Sequence, residues 1–227
     1  ALSDRGLYLC WRLQVEWAIP EKISIDGTII TKILCGPNYV VILTNKGLWL
    51  LDITSFGSSH MVNYLNGTRD PNNPKLKKID FDYMSIIDMK SSLIYIIILT
   101  DNGDVFINNG PVFIKIEITF INPKIFSGSY HCYILHDVLG KKCITELYRD
   151  KMTDTELDFD VETLVIEDGH RIIFYVGENS VYCKGVNIYY NLGLGHVDTV
   201  LEPISHPFLS GKNLLGFPNR NNVKRAN

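Results

Sequence analysis

The chain has 227 residues, 46% of them hydrophobic and 21% charged, with a formal net charge of -3. That length and balance exclude a disordered chain and allow one all-β domain or two small ones. No basic excess marks a general nucleic-acid binder, so direct nucleic-acid binding is not indicated. No apolar run reaches the ~18 residues of a membrane helix, so no membrane partner is expected.

The five cysteines, Cys10, Cys35, Cys132, Cys143 and Cys183, contain no CxxC pair. Neither a zinc site nor a redox motif is expected from them. Cys10, Cys35 and Cys183 lie in apolar runs, where a free thiol packs as a small buried hydrophobe. This usage favours an intracellular setting, cytoplasm or nucleus, against the lone glycosylation triplet Asn66-Gly67-Thr68. Abundant isoleucine, asparagine and lysine match the coding bias of an AT-rich genome: a protist, an intracellular bacterium or a large DNA virus. Ala1 shows neither initiator methionine nor signal peptide, as expected of a fragment or an expressed piece.

In chain order, Asp4 to Trp11 reads as a turn and a strand. Ile29 to Leu50 is a fuller unit: apolar strand, Gly36, second strand, the turn Thr44-Asn45-Lys46-Gly47, and a resumed apolar run. Ile86 to Ile107 repeats it with the turn Thr100-Asp101-Asn102-Gly103, and Ile125 to Ile144 repeats it with Gly140. Val165 to Gly195 is the clearest copy: a strand Arg171 to Val176, the turn Gly177 to Ser180, a strand Val181 to Lys184, and a loop closing on Gly193-Leu194-Gly195. Two short strands about a Gly/Asn/Ser turn make a hairpin, and the closing glycine pair suits a backbone at positive φ. A fifth unit begins at Asn213 and runs out at the C-terminus.

The register holds without gaps. One interval separates Gly36 from Gly47, Ser92 from Gly103 and Gly169 from Ser180. Three residues after each marker stand Tyr39, Tyr95 and Ile172, and Gly128 has His131 there. The markers at 36, 92, 128, 169 and 216 are unevenly spaced, as in a structural repeat with variable loops.

The unit resembles the repeat of the regulator of chromosome condensation family. Val181 to Gly195, VYCKGVNIYYNLGLG with Gly185, is similar to its second half. Cys35 to Trp49 and Tyr95 to Phe106 resemble its first half, and Ser127 to Leu135 carries the glycine and histidine as Gly128 and His131. Tyr39 and Tyr95 replace the usual histidine, and Ser92 replaces a glycine. The resemblance implies a β-propeller of four-stranded blades. It also implies protein-binding roles: its best-known member is a seven-bladed exchange factor for the small GTPase Ran that docks on chromatin, and others are scaffolds or ubiquitin-ligase modules.

Seven such blades need a longer chain. The expectation is a single propeller domain over residues 1–227 with about five four-stranded blades. One blade would be split, with Asp4 to Trp11 supplying the strand that the segment around 216–227 lacks, since closure removes exposed edges. A piece of a larger ring is the second reading and an open β-sandwich the third.

Neither catalytic residues, cofactor nor metal is expected, and an enzyme is the lesser reading. His131 and His170, beside repeat glycines, read as structural; His60, His136, His196 and His206 carry no motif. Asp26, Asp88 and Asp168 fall near strand ends, where converging carboxylates would resemble a glycosidase, although turn aspartates share that spacing. Phosphate loop, nucleophile elbow and zinc-protease motifs are absent.

Residues 55–80 read as a long inter-strand insertion rich in Gly, Asn and Pro, with a basic cluster at Lys75, Lys77 and Lys78 as the candidate partner-binding element. The acidic run Asp150 to Glu167 reads as a solvated face that would otherwise attract a basic partner such as a histone tail. The leading function is a protein-interaction propeller engaging a small GTPase, a histone or another protein, and the alternative is a carbohydrate-active or carbohydrate-binding propeller.

Overall fold

Runs of isoleucine, valine and leucine, cut by Gly- and Asn-bearing turns, give strands throughout. The computed structural model describes residues 2–3, 6–9, 12–13, 16–17, 21–25, 27–36, 39–52, 67–69, 76–81, 85–109, 112–149, 151–167 and 171–211. Every regular element among them is a strand. The chain divides into two compact units, 1–84 with 108–113, and 85–107 with 114–227.

The first unit opens with β1 (Leu2–Ser3), β2 (Gly6–Leu9), β3 (Arg12–Leu13), β4 (Glu16–Trp17) and β5 (Glu21–Ile23). β1, β2 and β5 form a three-stranded sheet, and β3 pairs with β4. Then come β6 (Ile30–Cys35), β7 (Tyr39–Thr44), β8 (Gly47–Asp52), β9 (Gly67–Arg69) and β10 (Leu76–Ile79), hydrogen-bonded in the order β6-β7-β8-β10-β9. β7 is buried along nearly its whole length, which accounts for the unbroken apolar run YVVIL. Val40 and Ile42 pack with Ile23, Ile25, Leu51 and Leu76.

Three four-stranded antiparallel sheets follow. They are β11 (Ile86–Ser91), β12 (Ile96–Thr100), β13 (Val105–Asn109) and β14 (Val112–Lys115); β15 (Ile121–Ser127), β16 (Cys132–Val138), β17 (Lys141–Tyr148) and β18 (Lys151–Leu157); and β19 (Thr163–Glu167), β20 (Ile172–Val176), β21 (Val181–Gly185) and β22 (Val200–Ser205). Alternation along β16 explains how they stack. Cys132 and Ile134 join a core with Ile97, Leu99 and Val105 of the preceding sheet. Tyr133 and Leu135 join one with Leu164, Ile173 and Tyr175 of the next. Successive residues of one strand thus bury opposite faces, the period-2 logic of a sheet covered on both sides.

Several expectations change here. Leu76–Ile79 is a sheet strand and Gly67–Arg69 adds a further one, so 55–80 is not wholly a loop. Strand alternation sends Lys77 and Lys78 to opposite faces: Lys77 is buried at 8% exposure and Lys78 is exposed, so they form no single surface cluster. The acidic run supplies two strands, β18 and β19. Cys35 is exposed, whereas Cys183 is fully buried as expected. Pairing of the N-terminal strand with the segment after Leu214 falls outside the described residues, as do Lys75, Gly169 and Cys10.

Candidate functional site

The repeat markers close a turn of one design. The amide of Gly36 donates to the Tyr39 carbonyl at 2.9 Å, that of Ser92 to Tyr95 at 2.8 Å, and that of Gly128 to His131 at 2.9 Å. Each links the first strand of a sheet to its second. At Gly36 glycine is obligatory, because a Cβ would lie 2.4 Å from the Tyr39 ring. Ser92 replaces glycine by another device: its hydroxyl accepts the amides of Ile94 (3.3 Å) and Tyr95 (2.9 Å). Gly47, Gly103, Gly193 and Gly195 all take positive φ at their turns. Gly185 (φ 140°) lets β21 approach the Arg171 carbonyl, which a Cβ would meet at 2.7 Å.

The third residue after the marker reaches toward neighbouring strands. The Tyr95 hydroxyl donates to the main-chain carbonyl of Arg149, in the β17–β18 turn of the following sheet. His131 is buried, stacks on Tyr148 at 4.4 Å between ring centres, and sets Nε2 3.5 Å from the Glu146 carboxylate. Two guanidinium groups lie over that same Tyr148 ring, Arg149 at 5.2 Å and Arg171 at 5.9 Å. Both arginines hold left-handed backbone, at φ 53° and 52°. The Leu93 amide bonds the Ser129 carbonyl at 2.5 Å, tying two marker turns together.

A cleft of about 400 Å³ is lined by the first strands of the three sheets in the second unit: Asp88 and Lys90 of β11, Lys124, Ile125 and Phe126 of β15, and Glu162 and Thr163 at the start of β19. Two of its charges, Asp88 and Lys90, are matched to each other. Asp88 pairs with Lys90 at 3.1 Å and accepts the Met89 amide at 2.9 Å. The Lys124 ammonium donates to the Glu162 carbonyl at 2.8 Å.

A polar relay crosses the sheet β15–β18. His136 Nε2 lies 3.0 Å from the Thr145 hydroxyl, which donates to Asp154 at 2.6 Å. The hydroxyl has one proton and spends it on Asp154, so His136 donates to Thr145 from Nε2. Burial holds the His136 imidazole below its ordinary value, with Asp154 and Asp137 pulling the other way. Thr145 is fully buried, so the relay has no room for substrate.

The loop after β21 is organised by Asn187, itself fully buried. Its amide donates to the His196 carbonyl at 2.6 Å and its oxygen accepts the Leu192 amide at 2.8 Å. This is the physical role of the asparagine in VYCKGVNIYYNLGLG, which ties the start of the loop to its Leu192-Gly193 end. The loop exposes Ile188, Tyr189 and Tyr190, and the blade continues outward through exposed Val197, Leu201, Ile204 and Phe208.

Of the aspartates expected at strand ends, Asp88 lies in the cleft, while Asp26 and Asp168 are outside the described residues, as are His60 and His170. His206 donates from Nε2 to the Leu192 carbonyl and accepts the Phe208 and Leu209 amides at Nδ1, a structural role. His196 accepts the Asp198 amide. No group of three metal-ligating side chains occurs among the described residues. The convergence on Tyr148 has no local signature in the residue order, because Arg171 reaches it from the following sheet.

No protein-family model matches the chain, and no curated protein matches it by sequence. Among solved structures it is similar to Prp20p from Saccharomyces cerevisiae, studied with its binding to Gsp1p and histones, at TM-score 0.57 and 13% identity over 82% of this chain and 52% of that one. It is also similar to yeast RCC1 (Prp20) in a structure with Kap60, at TM-score 0.56 and 14% identity over 88% and 56%. The fold is the regulator of chromosome condensation β-propeller. The chain spans about half the length of the propellers it matches. Its three four-stranded sheets are propeller blades. The marker turns join first to second strands within blades, and the cleft runs along their first strands.

Proposed function

We propose that this chain is a non-enzymatic protein-interaction propeller. The observation that carries the reading is the exposed apolar and aromatic surface of the last described blade, where Tyr189 is 68% and Leu201 80% exposed, with Ile188, Tyr190 and Phe208 alongside. Several large exposed apolar and aromatic side chains on one blade suit an interaction site, and tyrosine supplies large contact area at low entropic cost. The candidate partners are a small GTPase or chromatin, in line with the resemblance and with the binding of the yeast propeller to Gsp1p and histones and its complex with Kap60. Free thiols at Cys143 and Cys183 support an intracellular location.

A carbohydrate-directed propeller is the second reading, favoured by Asp88, Glu162 and Phe126 around one cleft. Against it, the Asp88 carboxylate already serves Lys90 and a backbone amide.

Affinity capture with the immobilised chain, with and without the changes Tyr189→Ser, Tyr190→Ser and Phe208→Ser, tests the first reading. A protein retained by the native surface and lost from the folded triple variant supports it. Identical capture by both, or glycan retention alone, contradicts it.

A further inference from the structure

We propose that Arg149 and Arg171, held over Tyr148, form a docking site for an acidic segment of a protein partner. The inference rests on the protein-interaction reading and gives that interaction a second contact point with its own chemistry.

Two cationic groups share one ring. Their centres lie 5.2 and 5.9 Å from the Tyr148 centroid, so they cannot stand further apart than those two distances together. Among the described residues neither guanidinium has an ion pair or side-chain hydrogen bond. The Glu146 carboxylate lies 3.5 Å from His131 Nε2 on the ring that stacks on Tyr148. Both arginines are exposed, and they come from successive blades, Arg149 after β17 and Arg171 before β20.

The geometry favours an anion over a purely structural stack. A guanidinium stacked on an aromatic face leaves its N–H edge free for a carboxylate, and its planar fork accepts one in bidentate fashion. Attraction to the ring face also holds the two guanidinium groups near each other before any partner arrives, which lowers the entropic cost of binding. The surroundings suit a peptide. The marker turns of the two preceding blades, joined by the Leu93–Ser129 hydrogen bond, expose Leu93, Ile94 and Tyr130, and Tyr95 reaches from the first of them to the Arg149 carbonyl. Two exposed cations, with exposed apolar side chains on the turn that Tyr95 links to Arg149, fit an acidic segment with a hydrophobic anchor. On a chain of net charge -3, such a local cationic spot would select by charge complementarity.

The test is a fluorescence-anisotropy titration of the full chain with a labelled oligo-glutamate peptide carrying one leucine, and with an oligo-lysine counterpart. The acidic peptide should bind more tightly, and Arg149→Gln with Arg171→Gln should weaken it about tenfold or more at low salt, two charge-assisted contacts being lost. Equal affinity in the folded double variant, or preference for oligo-lysine, would overturn the proposal. Should the glutamine pair fail to fold, Arg149→Lys with Arg171→Lys keeps the charges and removes the forks. A several-fold loss is then expected, and unchanged affinity overturns the site. Asp150 and Asp168 adjoin these arginines in sequence, so Asp150→Asn with Asp168→Asn is the remaining arm. Comparable binding by native and Asn chains supports an open site, and binding by the Asn chain alone overturns it. Because the titration needs no captured partner, its failure leaves the Tyr189 and Phe208 surface untouched, and failure of capture leaves the titration standing.

Discussion

Tyr95 on one blade donates its hydroxyl to the Arg149 carbonyl on the next. The position it occupies is the third after the marker, which His131 fills one blade later by stacking on Tyr148. A shared turn therefore presents different side chains to different tasks: Tyr95 joins neighbouring blades, and His131 packs on β17 of its own blade. Tyr95→Phe removes the hydroxyl alone and should cost about 0.5–1.5 kcal/mol, the net worth of one hydrogen bond. Thermal unfolding should fall by roughly 2–4 °C per kcal/mol for a chain of this size. An unchanged midpoint would show that the bond contributes nothing to stability.

Gly36→Ala tests the marker turn itself. The new methyl would meet the buried Tyr39 ring, which must shift or force the turn open. Overpacking of this kind costs about 1–3 kcal/mol, and denaturant unfolding should register it. Gly140→Ala is the comparison, since no atom lies within 4 Å of that methyl and only the left-handed backbone (φ 82°) opposes it. Gly36 itself does not take positive φ, so a loss there reports the Tyr39 ring; an unchanged midpoint for Gly36→Ala would show that the ring gives way freely.

The His136 relay predicts an acid limb. Burial lowers the folded-state affinity of the ring for a proton below its ordinary value of 6.5. The unfolded chain therefore takes up the proton first as pH falls. The stability tied to neutral His136 is complete above about pH 6.5 and is lost as pH drops from there toward the lowered folded value. Urea unfolding of His136→Gln should show a flatter limb between pH 7 and 5 than the native chain. A limb of identical slope would place the titration elsewhere.

Asn187→Ala should release the loop between β21 and β22. The buried Leu192 amide and the part-buried His196 carbonyl lose their partner, at about 1–3 kcal/mol, most of it from the buried amide left unsatisfied. Amide exchange of Leu192 should speed up while β12 and β16 stay protected. Unaltered exchange at Leu192 would mean that the loop holds itself.

Much of this was legible in the residues. Gly36, Ser92 and Gly128 stand at one register because each closes one backbone hydrogen bond, and Gly47 and Gly103 because each turn needs positive φ. β10 was hidden, because LKKI shows two lysines and the burial of Lys77 is decided by neighbouring strands. The strands in the acidic run were hidden for a similar reason. Asp154 is held by Thr145 and Glu156 by Lys141, contacts that offset charge which would otherwise argue for a solvated loop. The cluster about Tyr148 joins residues from separate blades, and no local pattern announces a meeting made by packing.

Hydrogen exchange of the chain with and without its captured protein partner tests the central claim most directly. The account predicts slowed exchange in the loop and strand from Asn187 to Phe208, with the first strands around Asp88, Lys124 and Thr163 unchanged. Protection confined to those first strands, with none from Asn187 to Phe208, would contradict it and move the binding site to the cleft.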